Sequence, residues 1–426
     1  MSRNSFYGWK LLGAVWLIVF LNLGFPAYGP AVINAAMARA VGLSRETLGN
    51  MFSVYMIMSG LPGPLVAMSV NHFGVRRTLV LGSALIIAGA VLMATVITGG
   101  LGAMLAFGLL VGTGVATGAA LASQAGLARW FVRRRALALS IMYSAGALGG
   151  FVAAPLLNWL IDATGTWRAG WWVLAALSTL AALTALIFVR ERPEDLGQMP
   201  DGIAIPAIGD RPAIDTRPAF ITRHDWSFRE AARHPSYWLI LMSLVGGSGG
   251  FTLYLAHGVV HLQDLGHPRS IGAWAVSVLT VTGLVAKAIL ATLGDRIDPR
   301  YIWAVFLAVF GFGLVLVVNA RALWQVFLFA TCLGIGFGGG VVCLMAVLSN
   351  YYGTRAFASL AGTAVAINTT LSAIAPKVAG HLYDQGVGYA GTFYFLAAWC
   401  FVGACVLYFM RQPEPTPRTA AAAAGS

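Results

Sequence analysis

Twelve apolar stretches, each long enough to cross a bilayer as a helix, constrain this chain more than any other feature of its sequence. A helix of ~20 apolar residues spans a hydrocarbon core of ~30 Å. Only 10% of the 426 residues are charged, against ~25% in a typical soluble domain. We therefore predict an all-α integral membrane protein with twelve transmembrane helices, numbered here as spans 1 to 12, at residues 11–37, 46–71, 77–98, 101–128, 135–160, 168–190, 236–262, 271–294, 300–319, 322–349, 355–383 and 388–410.

The longest polar stretch lies between span 6 and span 7 and is rich in proline, as a linker should be. We predict an N-terminal six-helix half at 1–190, a cytoplasmic linker at 191–235, a C-terminal six-helix half at 236–412 and a cytoplasmic tail at 413–426. The other loops are short, so neighbouring helices must pack antiparallel. This pattern predicts two pseudo-symmetric halves around a central cavity, with the substrate near the midplane.

The net charge of +12 follows the predicted topology. With a cytoplasmic N-terminus, 20 of the 27 Lys and Arg residues fall in inner segments and five in outer segments. This bias places both termini in the cytoplasm. We therefore predict a multi-pass protein of a bacterial inner membrane. The basic excess is a topology signal and predicts no nucleic-acid partner.

Two of the three lysines, Lys287 and Lys377, lie inside apolar spans. A cation buried in a bilayer is costly, so an ionisable residue there is a functional-site hypothesis by default. No Asp or Glu occupies the middle of any span, so the sequence shows no acidic partner that would neutralise these lysines. We predict that the missing negative charge arrives with an anionic substrate.

The sequence predicts neither an enzyme nor a bound metal or cofactor. Its four cysteines lie within apolar runs and lack the paired spacing of metal ligands. The glycine-rich runs have no preceding strand and no following Lys-Ser/Thr, so they are not phosphate loops.

The loop between spans 2 and 3 reads Asn71-His-Phe-Gly-Val-Arg-Arg77, and the loop after span 8 reads Gly294-Asp-Arg-Ile-Asp-Pro-Arg300. Both resemble the Gly-x-x-x-Asp-Arg-x-Gly-Arg-Arg signature of the major facilitator superfamily. The resemblance implies a conformational latch at these loops, although an asparagine replaces the usual acid in the first copy. The latch residues would be Asn71, Arg76, Arg77, Asp295 and Arg296.

Within that superfamily the chain resembles the monocarboxylate transporter and oxalate:formate antiporter group. The matching segments are Tyr7-Gly-Trp9, Trp130-Phe-Val-Arg-Arg-Arg-Ala136, Arg192-Pro-Glu-Asp-Leu-Gly197, Tyr351-Tyr-Gly-x-Arg355 and Ala375-Pro376-x-x-x-Gly380-x-x-Tyr383-Asp384.

The group typically places an arginine in span 8, eight residues before the loop aspartate, to bind the substrate carboxylate. Here that position is Lys287, which offers a compact charge instead of a bidentate fork. The resemblance therefore implies that Lys287 anchors a carboxylate. The alternative is that its side chain extends to the cytoplasmic membrane interface, since Leu293 is only six residues further along the chain. Animal members also keep an aspartate four residues earlier, where this chain has Gly283, so their proton relay does not carry over.

Four further candidates have structural alternatives of similar weight. Lys377 either attracts anions at an outer vestibule or extends to the outer membrane interface. Tyr28, between Pro26 and Pro30, either donates its hydroxyl to a carboxylate or packs at a helix kink. Asn368 binds substrate or joins helices. His257 is either a proton carrier or an interface anchor.

Three candidates remain. Tyr254 shares a face of span 7 with His257, whereas Tyr143 in span 5 and Thr117 in span 4 are cavity candidates by position alone.

Together these features predict a secondary transporter, acting as a monomer, that moves small lactate-, pyruvate- or oxalate-like carboxylates by alternating access. Coupling is either exchange against a counter-anion or symport with a proton, and the direction stays open. The alternatives are an exporter of drugs or other metabolites, which usually needs buried acids, and a non-transporting membrane sensor.

Overall fold

We analysed a computed structural model of the chain. It describes residues 6–97, 99–132, 134–202, 222, 224, 226–293, 297–353 and 356–414. Helices dominate this described part, and it contains no β-strand. The predicted all-α fold is confirmed.

Within the described residues, ten helices are long and apolar enough to cross a membrane. They form span 1 and spans 3 to 10, together with span 12, at Gly8–Val41, Val75–Thr95, Gly100–Trp130, Leu137–Thr164, Arg168–Phe188, Pro235–Asp264, Arg269–Leu290, Pro299–Val317, Leu323–Tyr352 and Ala390–Phe409.

The two remaining predicted spans are interrupted helices. Span 2 consists of Arg45–Gly60 and Gly63–Phe73, which meet at an angle of 45°. Span 11 consists of Phe357–Ser372 and Ile374–Asp384, separated by a single residue. Proline and glycine at the break of span 2 explain its bend, because neither residue favours a continuous helix there.

Span 1 changes its winding halfway along its length. A π-helical turn at Phe20–Gly24 interrupts the α-helix, and Pro26 and Pro30 follow it. Both features alter the regular backbone hydrogen bonds, and π turns occur frequently at functional sites. Tyr28 lies directly after this irregular segment.

Glycines allow the helices of each half to approach backbone to backbone. A Cβ added at Gly82 of span 3 would lie 2.1 Å from the backbone nitrogen of Gly118 in span 4. In the other half, a Cβ at Gly338 of span 10 would lie 2.3 Å from the carbonyl oxygen of Gly283 in span 8. Small residues at such contacts drive helix association in membranes, where lipid removes the hydrophobic contribution.

The end of the linker forms a short helix, Phe228–Arg233, in front of span 7. Ser227 and Glu230 form a capping box at its start. Trp226 is buried with its ring 5.4 Å from that of Tyr352 in span 10. This segment therefore attaches the linker to the C-terminal half.

The glycine contact between spans 3 and 4 gives a test of the packing. We expect Gly82→Ala to lower the thermal unfolding temperature of the purified protein, because the new methyl group collides with backbone atoms that cannot rotate away. Overpacking of this kind costs about 1–3 kcal/mol. Gly13→Ala in span 1 is the matched control, since no atom lies within 4 Å of its added Cβ. Equal melting temperatures for the two variants would contradict this account.

Candidate functional site

Ion pairs join the two halves at the predicted outer end of the molecule. The Arg45 guanidinium at the start of span 2 lies 2.9 Å from the Asp264 carboxylate at the end of span 7. Asp384, at the end of span 11, accepts hydrogen bonds from the backbone N–H groups of Arg45 (3.0 Å) and Glu46 (2.8 Å). A carboxylate from one half thus caps the first turn of a helix in the other half, where the helix dipole favours negative charge.

Further polar contacts extend this closure. His381 lies 3.0 Å from the Glu46 carboxylate, and the Tyr383 hydroxyl donates to Asp264 at 3.0 Å. At the same predicted outer end, spans 5 and 8 also meet. Arg269 of span 8 pairs with Asp162 of span 5 and donates to Asn158 at 2.7 Å. We call these contacts the outer lock, comprising Arg45, Glu46, Asn158, Asp162, Asp264, Arg269, His381, Tyr383 and Asp384.

The closure continues towards the middle of the molecule. The Ser53 hydroxyl of span 2 donates to the Ala373 carbonyl at the break in span 11. The Ser277 hydroxyl of span 8 donates to the Phe151 carbonyl of span 5 at 2.7 Å. The inner segment of span 2, Gly63–Phe73, packs mainly on spans 3 and 4 of its own half. The halves are therefore held together at the predicted outer end.

A cavity of about 250 Å³ lies between spans 1, 2, 4 and 7. Its lining is formed by Leu23, Ala27, Tyr28, Tyr55, Met56, Ser59, Val115, Ala116, Ala120, Leu121, Phe251 and Leu255. Tyr28 is the one sequence-predicted site residue among them. Its ring meets that of Phe251 edge to face, with centroids 6.3 Å apart, so the wall combines side chains of both halves.

The contacts between spans 5 and 8 fix the position of Lys287. Along these antiparallel helices Arg269 meets Asp162, Ser277 meets Phe151, and a Cβ on Gly150 would lie 2.7 Å from Thr280. Continuing in step for seven residues towards the predicted inner end places Lys287 opposite Tyr143. Lys287 is half-buried and Tyr143 is 37% exposed. The face of span 8 that meets span 5 therefore carries Lys287.

The Lys287 side chain has the direction and the length to approach the cavity. Gly150 is close to both Thr280 and the Tyr28 ring, so Thr280 marks the depth of Tyr28. Lys287 follows Thr280 by two turns, or ~10 Å. Its Cα–Cβ bond tilts back towards the start of span 8, and hence towards the cavity. A lysine stem reaches ~6 Å.

Lys287 has no hydrogen-bond or ion-pair partner among the residues that the structure describes. An unneutralised ammonium group that points towards an apolar cavity is suited to an anion from outside the protein.

His257 and Tyr254 lie away from the cavity lining. The Pro376 carbonyl can only accept, so His257 Nε2 donates to it at 2.9 Å, and Nδ1 then accepts from the Tyr389 hydroxyl at 3.1 Å. Both ring nitrogens are engaged at the junction of spans 7, 11 and 12. The buried Tyr254 ring packs on Phe329 of span 10. These contacts match the anchoring alternative for His257.

The structure does not bring Lys377 together with Lys287. Lys377 is exposed on span 11, on the same helix face as the exposed apolar side chains of Ile374 and Val378. The opposite face, with Ala379 and Gly380, is buried. This placement matches the alternative in which Lys377 extends along the lipid-facing surface to the interface.

The other two polar candidates form hydrogen bonds within their own helices. The Thr117 hydroxyl donates to the Thr113 carbonyl at 2.8 Å. Thr117 follows Ala116, a residue of the cavity lining, in the sequence. The half-buried Asn368 accepts from the Ser372 hydroxyl at 3.3 Å. Neither contributes to the cavity lining.

The predicted latch loop between spans 2 and 3 is held by an acid from the start of the predicted linker. Glu191 accepts hydrogen bonds from the backbone N–H groups of Val75 and Arg76, both at 2.9 Å, and pairs with Arg129 at 3.2 Å. It thereby caps span 3. Arg76 also donates to the Val189 carbonyl, whereas Asn71 and Arg77 are exposed. Asp295 and Arg296 lie outside the described residues.

Sequence reasoning missed several residues that build this site. The outer lock was hidden because Arg45, Asp264 and Asp384 stand at span ends, where charged residues are ordinary. The cavity residues Tyr55 and Phe251 carried no signal, because aromatic side chains in apolar spans are ordinary too. For the lock, opposite charges at the predicted outer ends of spans 2, 7 and 11 were the available clue.

The chain matches the family model of the Major Facilitator Superfamily over residues 14–270 and 258–425. Monocarboxylate transporter 13 of Bos taurus is 26% identical over 286 residues, covering 66% of this chain and 62% of that protein, less than two thirds of its length. Monocarboxylate transporter 3 of Rattus norvegicus is 27% identical over 408 residues, covering 91% and 76%.

A gentisate transporter of Corynebacterium glutamicum is 20% identical over 418 residues, covering 94% of this chain and 87% of that protein. Among solved structures, the nucleoside transporter NupG superposes with a TM-score of 0.70 at 12% identity, covering 93% of this chain and 99% of that chain. At this identity the structural likeness shows the fold alone.

The cap on span 2 gives a test of the outer lock. We expect Asp384→Ala to make the middle of the protein more accessible from the outer side, because two backbone N–H groups of span 2 lose their acceptor. Losing a helix cap costs about 1 kcal/mol, which corresponds to about a fivefold rise in the labelling rate of a cysteine placed at Ser53. The label is a membrane-impermeant thiol reagent, used after the native cysteines are replaced.

Glu194→Ala removes an exposed acid at the predicted inner end and serves as the control. An equal rise in both variants, or no rise with Asp384→Ala, would show that the cap does not hold the outer end closed.

Proposed function

The chain belongs to the major facilitator superfamily, and we propose that this membrane transporter carries small organic carboxylates by alternating access. Its similarity to proteins named monocarboxylate transporters supports this substrate class. The observation that carries the proposal is the position of Lys287, an ammonium group without an acidic partner among the described residues, on the face of span 8 that meets the other half.

In this proposal Lys287 is the carboxylate anchor. Its ammonium group would donate hydrogen bonds to the carboxylate, and a hydrogen bond to a charged group contributes about 1.5–3 kcal/mol. Tyr143, opposite Lys287 on span 5, and Tyr28 in the cavity wall supply hydroxyl groups on the N-terminal side. The substrate would thus contact both halves at once.

Contact with both halves links binding to the conformational change. Without an anion, closing the halves around Lys287 would bury an uncompensated charge, which is strongly unfavourable. A bound carboxylate neutralises the lysine and allows the inner parts of spans 5 and 8 to approach. The outer lock must then open on the opposite side for release or loading.

We further propose that the transporter exchanges anions or moves them down their gradient. The protein would lie in a bacterial inner membrane and work as a monomer. Both termini and the linker would face the cytoplasm. His257, which the sequence offers either as a proton carrier or as an interface anchor, has both ring nitrogens engaged away from the cavity. Gly283 stands where the animal carriers keep their aspartate. Neither residue supports proton symport.

Replacing the anchor tests the proposal. We expect Lys287→Ala to lower the uptake of labelled lactate or benzoate into proteoliposomes by about ten- to a hundredfold, the equivalent of one lost charged hydrogen bond. Lys377→Ala removes the same charge from the exposed face of span 11 and should transport at nearly the wild-type rate.

Undiminished uptake by Lys287→Ala would refute the anchor role. A loss confined to Lys377→Ala would instead support an outer anion vestibule.

A further inference from the structure

We propose that the cavity between spans 1, 2, 4 and 7 selects carboxylates whose body is an aromatic ring or an apolar group of similar size. This inference rests on the proposed carboxylate transport and names its preferred substrates. It points away from two- and three-carbon acids and from dicarboxylates such as oxalate.

The lining of the cavity is largely apolar. Most of its side chains are aliphatic or aromatic, and none of the described lining residues is charged. The polar groups are the hydroxyls of Tyr28, Tyr55 and Ser59. The Ser59 hydroxyl already donates to the Met56 carbonyl at 2.9 Å. A carboxylate placed inside would lose its hydration without gaining a cation, so the cavity suits the apolar part of a ligand.

The cavity is large enough for an aromatic ring. An engineered apolar cavity of ~150 Å³ binds benzene, and this cavity measures about 250 Å³. It can therefore hold a substituted ring. A two-carbon acid would leave much of the lining without contact atoms and would lose the dispersion energy that those atoms provide.

Aromatic side chains in the cavity wall are held in place by neighbouring rings. The Tyr55 ring stacks on Phe107 with an interplanar angle of 6°, which holds it in place. Phe251, in edge contact with Tyr28, stacks on Phe337 of span 10. Flat faces fixed by neighbouring rings favour an aromatic guest, because stacked and edge-to-face pairs add to the energy of burial.

The position of the Lys287 charge determines how a ligand would be oriented in the cavity. Lys287 approaches the cavity from the predicted inner end, so a ligand that places its carboxylate at Lys287 directs its other end towards Tyr28 and Tyr55. A second carboxylate at that end would be desolvated among apolar side chains, which is costly. This geometry therefore favours one charge and one apolar end.

Calorimetry on the purified full-length protein tests this selectivity with benzoate, phenylacetate, lactate, acetate and oxalate. We expect the two aryl acids to bind at least about tenfold more tightly than the small acids, because only they fill the apolar cavity. Ala120→Leu narrows the cavity and should remove most of this preference, because it weakens the binding of the aryl acids at least about tenfold more than the binding of lactate. Ala88→Leu, the same substitution at an exposed position of span 3, should retain it.

The outcomes separate the two proposals. Equal affinities for aryl and small acids in the wild type, or equal losses of both in Ala120→Leu, would overturn the selectivity while leaving carboxylate transport in place. Benzamide, an uncharged analogue of benzoate, should bind at least tenfold more weakly than benzoate. If it binds as tightly as benzoate, or if no carboxylate binds, the proposed function itself fails.

Discussion

Every backbone polar group at membrane depth needs a partner inside the protein, and the arrangement of this chain follows from that constraint. Regular helices satisfy it along most of each span. Side chains of other spans donate additional hydrogen bonds to backbone carbonyls at and just after the interruption of span 11 at Ala373. Ser53 from the N-terminal half donates to Ala373, and His257 donates to Pro376. The interrupted part of span 11 is therefore also a place where the two halves meet.

The same low-dielectric environment confines charge to the helix ends. Acidic side chains cap helices there, as Glu191 does for span 3 and Asp384 does for span 2. Asp298 does the same for span 9, the counterpart of span 3 in the second half. Lys287 departs from this rule, since it lies six residues before the end of the helix Arg269–Leu293. In the proposed function, neutralisation by a bound carboxylate would compensate for the free energy that its burial costs.

The parts of this structure that depend on one residue at a time could be predicted from the sequence. The spans follow from hydropathy. The parts that depend on which helices meet could not be predicted. Histidine as a residue type is suited to proton transfer, yet the contacts of His257 are made with Pro376 and Tyr389, which are more than a hundred residues away in the chain. Lys377 and Lys287 both lie inside apolar spans, and only the structure shows that span 11 turns Lys377 outwards.

A transporter must combine rigid halves with a closure that can be reversed, and the two kinds of contact found here differ in that respect. Backbone contact at glycines, as between Gly82 and Gly118, leaves no room for sliding and keeps each half intact. The outer lock consists of partly exposed ion pairs, and such pairs contribute only about 0–1 kcal/mol each. Water can replace each partner as the lock opens, so the penalty for opening stays small. In the proposed function, the binding energy of one carboxylate would then be comparable with the energy that separates the two conformations, and such a balance would allow a single substrate to drive the exchange between them.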